Sequence, residues 1–212
     1  MKATNYNEEN KFPYILLDDV FTDHELNGIW QELDFYSYPE KLKSPEETGS
    51  SMDQYGNVLK NNRGISLDVV YKENRIVSNI LSINRRIIAD NKLIPNHPSW
   101  WFKSLYADKD FTLLSYYEDG DYYRPHQDVS LVTCLFWFWK EPRKFKGGNL
   151  FFPDFDIEIE VKNNRGIIFP GMVFHAVDNI EMEEEDRGKG LGRWCMTQFL
   201  LPAAWVNPTV NA

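Results

Sequence analysis

One imidazole and one carboxylate stand two residues apart in this chain, at His126 and Asp128, and a second imidazole follows at His175 in a strand-rich stretch. Side chains two apart on an extended segment point the same way, with their Cα atoms about 7 Å apart, so His126 and Asp128 can bind one ion. Two histidines and one carboxylate form the facial triad that holds non-haem Fe(II) and leaves coordination positions open. The pattern therefore predicts a catalytic metal site.

The other residue types that bind metals argue against a structural zinc site or a calcium site. Cys134 and Cys195 are the only cysteines, and both lie in apolar runs where a buried, unpaired thiol is expected. Structural zinc usually needs cysteine ligands, and the chain has no carboxylate-rich calcium loop. We expect His24 and His97, which complete the set of four histidines, to be ordinary surface residues.

Composition and charge limit the classes of protein to which this chain can belong. A chain of 212 residues with 15% aromatic residues fits one domain with a strand-rich core. Its formal charge of −9 opposes binding to a phosphate backbone, so we expect no nucleic-acid partner. No signal peptide or membrane-spanning run is visible, and we expect a soluble, cytoplasmic protein that does not bind membranes. The oligomeric state is not indicated.

The first half of the sequence predicts helical support. A short strand at 14–17 precedes a helix that Thr22 caps, with Glu25 completing a capping box. The spacing of isoleucines predicts a second helix from about 72 to 90, packed on a sheet. Between them, 38–64 loses periodicity and reads as a loop, either a functional lid or disordered.

From Asp110 onward the pattern changes to short strands separated by turns, at 111–117, 131–139, 156–161 and 194–201. This pattern predicts a mainly β fold with supporting helices, in which a jelly roll (double-stranded β-helix) has the N-terminal helices packed on one sheet. We expect a single domain over 1–212. Its support spans 1–109 with the loop at 38–64, its core spans 110–201, and the tail after Pro202 is loose.

Five short segments occur in the order found in one enzyme family. They are Tyr116–Asp128 with its Tyr-Arg-Pro-His-Gln-Asp ending, Lys146–Phe152 with Gly-Gly-Asn-Leu, Gly166–Pro170, His175–Val177 and Gly192–Phe199. Together they resemble the prolyl 4-hydroxylase-like Fe(II)/2-oxoglutarate dioxygenases. The opening strand and helix, 14–33, also resemble that family's N-terminal support.

The resemblance implies roles for individual residues. His126, Asp128 and His175 would bind the iron, and Arg193 would bind the distal carboxylate of 2-oxoglutarate, for which a guanidinium fork is well suited. Thr197, Tyr116 and Tyr123 would line the same pocket. Two features depart from the family: Trp137 stands where animal members often carry a tyrosine, and a longer gap after His175 makes Arg187 a rival for the carboxylate.

The resemblance also implies the reaction. Fe(II) with the co-substrates 2-oxoglutarate and O₂ would hydroxylate an unactivated C–H, with a prolyl residue in a peptide or protein as the expected substrate. A free amino acid or other small molecule is the alternative. Nucleic-acid demethylation and a non-catalytic jelly-roll binding module are further readings. The segment 100–102 and the 38–64 loop are candidates for a peptide-binding wall or lid, or for ordinary packing and surface.

Overall fold

The computed structural model describes residues 1–37, 41–49, 51–89 and 93–202, and within these ranges two antiparallel sheets face each other. The larger sheet has the strand order β1-β2-β11-β7-β14-β5-β4, and the smaller has the order β10-β9-β12-β6-β3. Strands β8 and β13 form a separate pair. The bounds are β1 Lys2–Tyr6, β2 Tyr14–Asp18, β3 Lys60–Asn61, β4 Arg63–Ser66, β5 Lys109–Tyr117, β6 Tyr122–His126, β7 Val132–Phe138, β8 Phe145–Gly147, β9 Leu150–Phe152, β10 Ile157–Ile159, β11 Arg165–Pro170, β12 His175–Val177, β13 Ile180–Met182 and β14 Arg193–Leu201.

This architecture confirms the predicted jelly roll with helices on one sheet. The helices are α1 Asp23–Tyr36, α2 Leu67–Val70, α3 Asn79–Ala89 and α4 Trp100–Lys103. Buried residues of α1 and α3 join one apolar cluster with alternate residues of β5, β7 and β14, so these helices cover the outer face of the larger sheet. A second cluster fills the space between the two sheets. Strand β7 is buried at every position because it packs on both sides.

Helix α1 begins as the sequence predicts. The Thr22 hydroxyl accepts from the backbone N–H of Glu25, and the Glu25 carboxylate accepts from the backbone N–H of Thr22. This reciprocal pair satisfies two N–H groups that the helix itself cannot bond. Ile29 and Leu33 are fully buried against the sheet.

The prediction of one helix from 72 to 90 was wrong at its start. The regular helix α3 begins at Asn79, after a short 3-10 turn, and Ile76 is 85% exposed instead of packed. The Ser78 hydroxyl accepts from the backbone N–H of Leu81, and the Glu32 carboxylate accepts from that of Ile80. These acceptors favour a helix start at this point. Residue 90 lies outside the described residues.

The segment 38–64 is not one continuous loop. Residues 60–61 pair with β6 in the smaller sheet, and 63–66 pair with β5 in the larger one. Strands β1 to β4 therefore complete both sheets, so pairing crosses the expected boundary between support at 1–109 and core at 110–201. Residues 38–40 and 50 of the expected lid, and 203–212 of the expected loose tail, lie outside the described residues.

His97 was predicted at the surface, and this was wrong, because its side chain is fully buried. Its Nδ1 accepts from the backbone N–H of Ser99, and its ring packs on Phe102 with centroids 4.5 Å apart. Burial lowers the pKa of His97, which favours the neutral ring that this acceptor role requires. His24 is exposed, and Cys134 and Cys195 are buried and free, as expected.

No helix within the described ranges has both the length and the apolar character needed to cross a bilayer.

Candidate active site

Strand pairing brings the three predicted metal ligands together. His126 ends β6 and His175 begins β12, and the two residues lie directly opposite each other in the smaller sheet. His126 Nε2 is 3.7 Å from Asp128 Oδ1, and His175 Nε2 is 3.5 Å from Asp128 Oδ2. One ligand atom from each residue lies within 4.8 Å of the others, in the only such group of three or more among the described residues.

Backbone carbonyls orient both imidazoles. The Nδ1 atoms of His126 and His175 each lie 2.9 Å from a carbonyl oxygen, that of Arg124 and that of Val173. A carbonyl oxygen only accepts, so each Nδ1 carries the proton and each Nε2 keeps a lone pair toward Asp128. Burial, with the neighbouring His175 adding to it, lowers the pKa of His126 to about 2, so this ring stays neutral. Neutral imidazoles are the form that binds metal.

The carboxylate of Asp128 is held from two sides. The buried Thr133 hydroxyl donates to Asp128 Oδ2 at 2.6 Å, and the backbone N–H of Asp128 donates to the Gly171 carbonyl at 2.8 Å. Gly171 has no room for a side chain, since a Cβ there would lie 2.2 Å from Ser130 Oγ. The donor set of two imidazoles and one carboxylate fits Fe(II), and the hydrogen bonds behind it fix its geometry.

A cavity of about 620 Å³ opens beside the triad, between the two sheets. Its wall includes all three triad residues and the inward-facing side chains of β14, β5 and β7, among them Thr197, Cys195, Leu113, Leu135 and Trp137. Residues 47–49 and 51 of the expected lid contribute to another side. The aromatic segment 100–102 does not line it, and Phe102 is buried elsewhere.

Arg193 is a fully buried cation without a hydrogen bond. Its side chain lies on the same face of β14 as Cys195 and Thr197, and none of its three guanidinium nitrogens has a partner within the described part of the chain. The Tyr117 ring, which lines the cavity, lies 4.3 Å from the guanidinium carbon. Such a buried charge is costly unless an anion compensates it. Arg193 itself is not among the residues that line the cavity, and it contacts the cavity only through Tyr117.

Arg187, the rival for this role, is engaged elsewhere. Its guanidinium lies 3.1 Å from Asp119 and also donates to the carbonyl of Met182. Its side chain is about half exposed. The added loop after β13 thus places Arg187 on the surface, away from the cavity wall.

The two predicted tyrosines lie in different places. Tyr123 lines the cavity and stacks on His126, with ring centroids 3.5 Å apart and planes 11° apart. Tyr116 does not line it, because its ring points to the helix side of the larger sheet and contacts Trp194. Its neighbour Tyr117 occupies the inner face, directly opposite Arg193. The prediction for Tyr116 was wrong by one residue, because adjacent residues of a strand point to opposite faces of the sheet.

Lys60 is a cavity residue that the sequence reasoning missed. It belongs to β3, pairs with Tyr123 and is 5% exposed, with its ammonium 5.5 Å from the Tyr123 ring centroid. Burial lowers the pKa of Lys60 to about 8, although the charges of Asp128 and Glu46 act in the opposite direction. A single lysine in an aperiodic segment carries no sequence signal for this position.

Solved structures with the same fold include several oxygenases. A Pseudomonas putida prolyl-4-hydroxylase is 14% identical, covers 90% of this chain and 94% of its own, and has a TM-score of 0.61. A viral collagen prolyl hydroxylase from Paramecium Bursaria Chlorella virus-1, in a 2OG complex, is 16% identical over 90% and 96%, with a TM-score of 0.51. An oxidoreductase of the 2OG-Fe(II) oxygenase family from Burkholderia pseudomallei is 12% identical over 88% and 84%, with a TM-score of 0.52.

No family model matches the chain, and no curated protein matches its sequence. The structural likeness therefore establishes the fold, the jelly roll of the 2-oxoglutarate oxygenases. Within that fold, the His126–Asp128–His175 triad has the ligand types that hold Fe(II).

Proposed function

We propose that this chain is an Fe(II)- and 2-oxoglutarate-dependent dioxygenase that hydroxylates an unactivated C–H. The observation that carries the proposal is the pairing of two features in one jelly roll. Three convergent metal-ligand atoms line the cavity, and the buried Arg193 guanidinium, which has no hydrogen-bond partner among the described residues, lies on the same strand face as Cys195 and Thr197 of the wall. The iron would supply O₂ activation coupled to oxidative decarboxylation of 2-oxoglutarate, chemistry that protein side chains alone do not provide.

The chain's own residues bind the metal and the co-substrate, orient them, and exclude water. His126, Asp128 and His175 hold the metal, while Arg193 takes the far carboxylate of the co-substrate through a charge-assisted bond. Thr197, Tyr117 and Tyr123 form the wall around the co-substrate, and Trp137 lines the cavity opposite Cys195 in the pairing of β7 with β14. Leu113 and Leu135 make part of that wall apolar, which excludes water from the reacting atoms.

We propose a prolyl residue of a peptide or protein as the substrate. The support is the fold shared with two prolyl hydroxylases and the apolar character of the cavity opening. Val69 and Val129 line the cavity and are 56% and 76% exposed, so they can contact a chain that continues past the mouth. Residues 47–49 and 51 would then contact the substrate as a lid. A free amino acid or other small molecule is the competing substrate class.

The test is an anaerobic titration of the apoprotein with Fe(II) and 2-oxoglutarate, recorded as a visible spectrum. We expect a metal-to-ligand charge-transfer band in the wild type and its loss in His175→Ala, because the chelate needs the iron in place. His24→Ala, at an exposed histidine, is the control and should retain the band. Absence of the band in the wild type at every concentration would overturn the proposal in favour of a non-catalytic binding module.

A further inference from the structure

The wall of the cavity contains a buried cation, Lys60, that the proposed reaction does not use. Among the described residues its ammonium forms no hydrogen bond and no ion pair within 4 Å, and its nearest aromatic contact is Tyr123. Desolvating an ammonium without a partner is costly, and a cavity beside it provides space for one. The Lys60 ammonium can therefore bind an anion in the cavity that the described part of the chain does not supply.

The carboxylates of the chain do not fill this role. Asp128 interacts with Lys60 electrostatically, but its oxygens face the two histidines and the Thr133 hydroxyl. Glu46 and Glu47 are exposed, and the Glu47 carboxylate already accepts from the backbone N–H of Ser44. Water screens the charge of exposed carboxylates, so they compensate a buried ammonium weakly.

When the metal and 2-oxoglutarate are bound, the positive charge of Lys60 has no formal counter-charge among the buried groups of the site. Fe(II) and Arg193 carry positive charges that Asp128 and the 2-oxoglutarate dianion together cancel. One positive charge then remains among the buried groups beside the triad, because Glu47, which also lines the cavity, is exposed to water. A monoanionic group of the substrate would neutralise it, and a carboxylate is the common biological group with that charge.

We propose that Lys60 binds a carboxylate of the primary substrate and so selects a substrate that carries one. This inference rests on the proposed function. Lys60 is on the smaller sheet, whereas Arg193 is on the larger one, so the two cations are available to different carboxylates. The carboxylate belongs either to a free amino acid or chain end, or to an acidic side chain beside the reacting residue.

Calorimetric titration of the anaerobic Fe(II)–2-oxoglutarate protein with acid and amide pairs tests this. One pair is N-acetyl-L-proline and N-acetyl-L-prolinamide, which differ in a terminal carboxylate. The other is the blocked peptides Ac-Gly-Pro-Glu-NH₂ and Ac-Gly-Pro-Gln-NH₂, which differ in a side-chain carboxylate. We expect the acid of one pair to bind about 10-fold or more tighter than its amide, which is the usual strength of a charge-assisted bond.

In Lys60→Met the acid–amide ratio should fall to about 2-fold or less, while Lys60→Arg should retain most of it. The exposed Lys72→Met is the control for loss of a positive charge and should bind as the wild type does. The 2-oxoglutarate Kd from the charge-transfer band should not change in Lys60→Met.

Three results would overturn the inference. They are an equal acid–amide ratio in wild type and Lys60→Met, no acid preference in either pair, and a 2-oxoglutarate Kd raised about 10-fold in Lys60→Met, which would make Lys60 the co-substrate residue. A wild type without any charge-transfer band would instead refute the proposed function itself.

Discussion

The ring of Tyr117 lies over the guanidinium of Arg193, with 4.3 Å between the guanidinium carbon and the ring centroid. These residues are direct partners in the pairing of β5 with β14. A cation–π contact compensates a buried guanidinium only in part, since the nitrogens have no acceptor in the described ranges of the chain. Arg193 is therefore positioned by Tyr117 but not neutralised, a state that suits a residue awaiting an anion.

Arg193→Met should make the ligand-free protein more stable while it weakens 2-oxoglutarate binding. Removing an uncompensated buried charge should raise the free energy of unfolding by about 1 to 3 kcal/mol in urea. Losing the charge-assisted bond should raise the 2-oxoglutarate Kd by about 10-fold or more. Arg187→Met, which removes an exposed arginine, should change neither quantity to this extent. A less stable Arg193→Met protein would show that the charge is compensated in the free chain.

Thr133→Val should weaken metal binding without removing a ligand. The Thr133 hydroxyl donates to Asp128 at 2.6 Å, and losing such support behind a metal ligand typically costs about 10- to 100-fold in affinity. Thr112→Val is the matched control, because Thr112 is an equally buried strand threonine that accepts from Asn84 instead. Equal Fe(II) affinities for the two variants in an anaerobic competition titration would contradict the role of Thr133.

Gly147→Ala should destabilise the protein more than Gly120→Ala. Both glycines have positive φ, 69° and 79°, so alanine strains the backbone at either position. Only at Gly147 would the new Cβ also lie 2.1 Å from the Asn179 carbonyl oxygen, whereas nothing lies within 4 Å at Gly120. We expect the Gly147 variant to lose about 1 to 3 kcal/mol more in urea unfolding. Equal losses would mean that the Asn179 backbone moves away freely.

The stability of Asp121→Asn relative to the wild type should increase as the pH rises. Burial, together with the charges of Glu118 and Asp119, raises the pKa of Asp121 to about 7 from 3.8. A raised carboxyl pKa means that the folded state holds a proton more tightly, so the wild type loses stability between pH 4 and 7. Asparagine does not titrate, and it can still accept the bond from the backbone N–H of Glu118. The stability difference between variant and wild type should increase by about 1 to 2 kcal/mol from pH 5 to pH 8. A difference that does not change over this range would contradict the raised pKa.

Local patterns in the sequence were sufficient for the features that depend on neighbours along the chain. The capping box of α1, the doubly buried β7 and the placement of His126 and Asp128 on one side of an extended segment each follow from short-range rules. Residue type suggested His175 as the third ligand, and the resemblance to a known family supplied the role of Arg193.

Tertiary structure decided what depends on strand register and long-range packing. A shift of one residue exchanges the faces of a strand, and this placed Tyr117 instead of Tyr116 at the cavity. Lys60 reaches the cavity only because β3 pairs with β6, and no sequence pattern around Lys60 indicates that pairing. His97 is buried because Ser99 and Phe102 pack around it, although its proline-flanked surroundings resemble a surface loop. The sequence by itself determined the ligand types and the fold class, because these depend on residue chemistry and periodicity. Only the folded chain determined which of the other side chains share the cavity with the triad, because strands distant in sequence bring them together.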